Sequence, residues 1–178
     1  MSRILVGMAS FNALVLLAAF SVGFYCEGRV QVQAGSSLTD SQKLFTYHLL
    51  SGLSATLLTL LLHSLIFTYF IGTGRWVQEV AKAYQFPEPF WERSRELKRK
   101  ALPLILVSIM LVITVATLGA ATDLGMLDSN FHLALAVLAI GCNFWSFFRE
   151  YALVRANGEI ITQIMTEVKR MRRERGLD

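Results

Sequence analysis

The residues with the most chemistry to offer in this chain are its three histidines, a glutamate within an apolar segment, and two cysteines. His48 and His63 stand fifteen residues apart and so share a helix face at 100° per residue. That spacing suits two stacked b haems, provided a facing helix supplies each second axial ligand. His132 is such a partner for His48. No further histidine exists for His63, and Met110 offers only a weak thioether substitute. The sequence therefore accommodates one haem b between His48 and His132, but not two. A zinc site asks for three or four converging ligands. Cys26, His48 and His132 supply three at most, on three separate segments, without close-spaced ligand pairs.

Other chemistries lack their residues. Cys26 lies at the boundary of one apolar segment and Cys142 in the middle of another, too far apart to form a disulfide. No G-x-S-x-G, GK[ST] loop or H-E-x-x-H is present. The G-x-G of Gly72-Thr73-Gly74 follows an apolar segment rather than a strand. It reads as a flexible joint, with Arg75 and Trp76 as interface anchors.

The elements that must position these residues follow from composition. The chain has 178 residues, 54% of them hydrophobic and 17% charged. A water-soluble domain of this size carries about a quarter charged residues and could not bury so much apolar surface. Two cysteines do not make a disulfide scaffold, and the apolar excess excludes disorder. An integral membrane protein remains. Crossing the hydrocarbon core takes about 20 apolar residues. Four stretches qualify, at 4–25, 44–71, 101–122 and 131–154. The first reads as a retained helix, because its apolar run exceeds a signal-peptide core and Gly23-Phe24-Tyr25-Cys26 offers no cleavage motif.

Of the seventeen Lys and Arg residues, only Arg29 and Lys43 lie between spans one and two, and none lies between spans three and four. The positive-inside rule then places both termini and the central loop in the cytoplasm, in a cell membrane of cytoplasmic type. Membrane topology accounts for the basic flanks without nucleic acid.

The expected fold is an all-α membrane protein, an antiparallel bundle of four transmembrane helices over residues 1–154. It includes an amphipathic cytoplasmic loop at 75–100, and the last helix extends into the cytoplasm as a basic helical tail at 155–178. Small and polar residues mark helix interfaces in a bilayer. On that basis His48, Gly52, Ala55, Thr56, Thr59 and His63 line span two, and His132, Ala136, Ala139, Asn143, Ser146 and Glu150 line span four. Asn12 faces inward from span one, and Met110, Thr114, Thr117 and Ala121 are expected inward from span three. Matching depth pairs His63 with Glu150. Pro103 is placed in the first turn of span three.

Beyond span four, Val154, Asn157, Ile161, Ile164, Val168 and Met171 follow the 3, 4, 3, 4, 3 rhythm of a coiled coil. They form either a homodimer seam or a stripe packed on the chain's own 76–100 segment. The functional expectation is a non-enzymatic, multi-pass subunit or oligomeric interaction protein acting through its cytoplasmic helices, with no resident cofactor. Two alternatives stand beside it. One is a haem b-binding or redox accessory subunit using His48 and His132. The other is a small proton- or ion-conducting oligomer using His63 and Glu150, with Asn12, Thr59 and Asn143 as the rest of an intramembrane polar column.

Overall fold

A computed structural model describes residues 2–32, 38–86 and 89–176. Within them the regular structure is helical: α1 (Ser2–Val32), α2 (Leu38–Tyr84), α3 (Pro89–Asp123) and α4 (Ser129–Glu174). Each helix contains a stretch long and apolar enough to cross a membrane. Large apolar side chains such as Leu14, Leu57, Val107 and Phe148 stand exposed on the outside, as expected where the surrounding solvent is lipid. The chain is a multi-pass helical membrane protein.

Two helices far exceed a span. At 47 and 46 residues, α2 and α4 are each about 70 Å long, against a hydrocarbon core of roughly 30 Å. α2 does not loosen at Gly72 and Gly74, contrary to the expected joint. It continues to Tyr84 because the residues around the glycines are engaged on both sides, with Phe70 and Val77 both buried. A glycine costs a helix interior about 1 kcal/mol relative to alanine, less than such packing returns.

The end of α2 is a Schellman-type turn. Gln85 adopts a positive φ of 55°, and the Phe86 N–H donates to the Ala81 carbonyl at 2.9 Å. Pro89 then opens α3, where its missing N–H costs nothing. The basic 91–100 segment and the third span are consequently one helix. Pro103 lies about four turns inside that helix rather than in a first turn. It sits on the exposed side, and the helix continues past it.

The α3–α4 turn is equally well specified. Gly125, at φ +72°, donates to Thr122 O at 2.9 Å, and Met126 N–H donates to Ala121 O at 3.0 Å. The Asp128 carboxylate then caps α4 by accepting from Asn130 N–H at 2.8 Å.

The order around the bundle can be read from interhelical pairs. Asn12 meets Thr59 while Gly23 approaches His48, so α1 and α2 are antiparallel. Gly119 approaches His132, Ser108 meets Ser146 and Ser94 meets Asn157, so α3 and α4 are antiparallel. α2 and α4 run parallel across the diagonal, through His48–His132 and His63–Glu150.

One expectation about faces is corrected. The inward stripe of α3 is Ala101, Ile105, Ser108 and Val112, whereas Met110 is exposed. Thr114 and Thr117 donate to their own i−4 carbonyls, Met110 O and Ile113 O, at 2.7 and 2.9 Å. A threonine satisfied by its own helix can face lipid cheaply, so residue type alone misplaces it. The coiled-coil rhythm of α4 had two expected arrangements. Val154, Asn157 and Ile164 are buried, and Ile161, Val168 and Met171 are half-buried. Ile160 and Ile164 form a cluster with Val77, flanked by Trp76, Phe86, Phe90, Trp91, Ile161 and Val168. The buried members of the stripe thus pack on the chain's own α2 and α3, one of the two expected arrangements.

Candidate functional site

Polar side chains occupy successive levels of an otherwise apolar interior, and each level ties particular helices together. Asn12 of α1 and Thr59 of α2 are both buried. Asn12 Nδ2 donates to Thr59 Oγ1 at 3.1 Å, while the Thr59 hydroxyl donates to Ala55 O at 2.8 Å. Ser108 Oγ donates to Ser146 Oγ at 2.8 Å between α3 and α4.

Where the helices outrun the spans, Asn157 uses its whole amide. Its Oδ1 accepts from Ser94 Oγ at 3.1 Å, and its Nδ2 donates to Thr73 Oγ1 at 2.9 Å and to Tyr69 Oη at 3.2 Å. It thus fixes register among three helices of one chain.

The tightest cluster is His63, Asn143 and Glu150, all fully buried. His63 Nδ1 lies 3.0 Å from Glu150 Oε1, and Nε2 lies 3.0 Å from Asn143 Oδ1. Asn143 Nδ2 donates to Ala139 O at 2.8 Å, which leaves Oδ1 as a pure acceptor towards the imidazole. His63 Nε2 must therefore carry its hydrogen. One further proton lies between Nδ1 and Oε1. It belongs either to an imidazolium facing a carboxylate or to a carboxylic acid facing a neutral imidazole, and the pair is net neutral both ways. Phe147 stacks on the imidazole with centroids 5.5 Å apart. Glu150 Oε2 is buried with no hydrogen-bond partner among the described residues.

The expected polar column is thus two separate hydrogen-bonded groups. Asn12 pairs with Thr59, and His63 joins Asn143 to Glu150.

His48 and His132 come together at the opposite end of the bundle, with ring centroids 6.4 Å apart and planes at 78°. Each ring lies against a glycine of a neighbouring helix. A Cβ on Gly23 would sit 2.6 Å from His48 Cε1, and one on Gly119 would sit 2.8 Å from His132 Cε1. Any side chain at Gly23 or Gly119 would push the imidazoles out of place. His48 Nδ1 is buried with no hydrogen-bond partner among the described residues. The two rings border a half-open apolar cavity of about 200 Å³ reached by all four helices, with Ala19, Gly52, Ala116 and Ala136 among its walls.

Among the described residues no three His, Cys, Asp or Glu side chains converge as metal ligands, and the Cys26 side chain lies outside them. Ser94, Tyr69 and Thr73 escaped the sequence reading. Yet Ser94, Ala101, Ile105, Ser108 and Val112 follow steps of seven, four, three and four, a stripe legible once apolar and small residues are counted together. Comparison with protein-family models, with curated proteins and with solved structures finds no match to this chain.

Proposed function

We propose that this chain is a non-enzymatic, multi-pass subunit of a cytoplasmic-type membrane that holds one b-type haem between His48 and His132. The observation that carries the reading is the separation of the two imidazoles. A ring nitrogen binds a transition metal at about 2.0 Å and lies about 1.1 Å from its ring centre, so two imidazoles sharing one metal have centres roughly 6.3 Å apart. The His48 and His132 centroids are 6.4 Å apart. The small residues Ala19, Gly52, Ala116 and Ala136 leave apolar space beside the two rings. At about 200 Å³ the cavity is smaller than a porphyrin, so its walls would have to part to admit one. His48 and His132 would hold the haem, and the chemistry it would supply there is electron transfer.

Orientation belongs to the same proposal. Fifteen of the seventeen basic residues fall at the end of the bundle that carries the N-terminus, so that end is cytoplasmic and the His48–His132 level lies near the opposite face. The buried residues of the α4 stripe pack within the chain, which supports the haem reading over an interaction subunit joined through that stripe. The conduction reading meets two closed hydrogen-bonded groups in place of a column.

The test is an absorption spectrum of the full chain purified from haem-replete membranes. A Soret band with a sharp α band on dithionite reduction is expected. Both should be lost in His48→Ala and in His132→Ala and kept in His63→Ala. Absence of the bands, or bands indifferent to His48 and His132, overturns the assignment.

A further inference from the structure

A cleft between α2 and α3, at the end of the bundle remote from His48 and His132, collects positive charge. It holds about 370 Å³, within the roughly 300–1,000 Å³ of small-molecule sites. Arg75 of α2 and Arg95 and Lys98 of α3 line it, and no lining residue is acidic. Ile71 and Gly74 complete it towards the apolar span, Gln78 and Trp91 away from it. Ile71, Arg75 and Arg95 are exposed, so the cleft opens on the outside of the bundle.

Its cations are held in place without being neutralised. The Arg95 guanidinium lies over the Trp91 ring, 5.4 Å from the centroid, a contact that steadies the cation and leaves its charge uncancelled. Lys98 has no carboxylate partner among the described residues, and the neighbouring Glu96 pairs with Lys100 at 2.6 Å. Arg75 uses only its Nε towards Glu79, at 2.9 Å. That pair is exposed at both partners, a kind worth little, and its terminal guanidinium nitrogens stay available to a second anion. Set against three lining cations, Glu79 still leaves an excess of positive charge.

Depth decides which anion suits the cleft. The flanking apolar runs end at Ile71 and resume at Ala101. Lys98, Arg75 and Arg95 stand three, four and six residues outside them, about 5–9 Å along a helix. Headgroups occupy roughly 5–8 Å on each side of the hydrocarbon core, so the three cations lie at the phosphate layer. On α2 the face carrying Ile71 continues one turn into the span to Phe67, and both side chains are exposed. A soluble anion gains nothing from that apolar track, whereas an acyl chain lies along it. Gly74 keeps the cleft open, since a Cβ built there meets nothing within 4 Å.

We propose that the α2–α3 cleft binds the phosphodiester of an anionic phospholipid, with Arg75, Arg95 and Lys98 meeting its oxygens and an acyl chain along Phe67 and Ile71. A zwitterionic lipid fits less well, because its ammonium finds no carboxylate among the lining residues. The site stands apart from the haem reading and does not depend on it.

The test is native mass spectrometry of the full chain in detergent, titrated with phosphatidylglycerol, phosphatidylcholine and glycerol phosphate. One saturable phosphatidylglycerol adduct is expected, roughly tenfold tighter than phosphatidylcholine. Arg95→Gln and Lys98→Gln should each weaken it about fivefold, the scale of one basic residue against an anionic lipid. Gly74→Leu removes no charge and has open space for its Cβ, so a similar loss there puts the lipid in the cleft. Arg99→Gln, which takes the same charge from an exposed position outside the lining, should change little. Equal losses in Arg99→Gln and Lys98→Gln, or full binding in Gly74→Leu, mark diffuse surface charge and overturn the proposal. Equal affinity for the two lipids overturns it as well, as does the absence of a saturable adduct. Glycerol phosphate displacing the lipid at matching concentrations marks a site for soluble phosphate, with the same consequence. Because the ligand comparisons use the unmodified chain, they decide the matter even if a variant fails to fold.

Discussion

His63 has both ring nitrogens committed inside the bundle, to Glu150 and to Asn143, and that fixes what its loss must do. Removing one partner of a buried pair strands the other, a penalty of about 3–5 kcal/mol. Replacing both partners with apolar residues of similar size removes the stranded group as well. His63→Leu should therefore lower the unfolding free energy in detergent by about that amount, and His63→Leu/Glu150→Leu should recover most of the loss. Circular dichroism during denaturant titration checks this double-mutant cycle, in which a near-additive outcome would show the two residues to be energetically independent. The pairing of His63 with Glu150 was legible from depth alone, since a helix rises about 1.5 Å per residue and both residues fall at one level. Asn143 was expected only as a further member of a polar column with Asn12 and Thr59, because depth reckoning ignores the reach of an imidazole. The His63 ring spans the two turns of α4 between Asn143 and Glu150.

The helices themselves were partly legible, and their failures have physical causes. Four spans follow from four apolar runs, because nothing else satisfies backbone polar groups in hydrocarbon. Hydropathy stops where water begins, so the extension of α4 had to be read from its apolar rhythm, and how far α2 runs past the bilayer shows only in the structure. What carries them on is the cluster of Val77, Ile160 and Ile164, capped by Phe86, Phe90 and Trp91. The 3–4 rhythm of α4 was read correctly as a packing stripe, but periodicity does not say whose surface it meets. Truncating Ile164, fully buried, to alanine should cost about 2–5 kcal/mol locally. Because this cluster is separate from the membrane core around Leu62 and Ile105, the loss should stay local. Hydrogen exchange should quicken in 76–86 and 155–172 while the spans keep their protection. Exchange quickening equally throughout the spans would mean that extension and bundle form one cooperative unit.

Across the whole molecule the net charge of +4 is a difference between two ends rather than a property of the surface. The end carrying the N-terminus, the α2–α3 turn and the α4 extension holds fifteen basic and nine acidic residues, and the other end holds two and four. The antiparallel order is what sums four separate flanks into this asymmetry, since it brings the α2–α3 turn and the extension of α4 to the same end as Ser2. Under the proposed orientation the His48–His132 level lies near the non-cytoplasmic face and the α2–α3 cleft at the cytoplasmic one. The two proposed sites then stand on opposite sides of the membrane's midplane, with the Asn12–Thr59 level between them. The tight turns offer direct probes of that orientation, because Gln85 and Asp128 are both exposed and lie at opposite ends. In a background with Cys26→Ser and Cys142→Ala, a membrane-impermeant maleimide applied to intact cells should label Asp128→Cys. Gln85→Cys should react only after permeabilisation. The reverse pattern would invert the bundle, put fifteen basic residues on the outer side against the positive-inside rule, and exchange the faces assigned to the two sites.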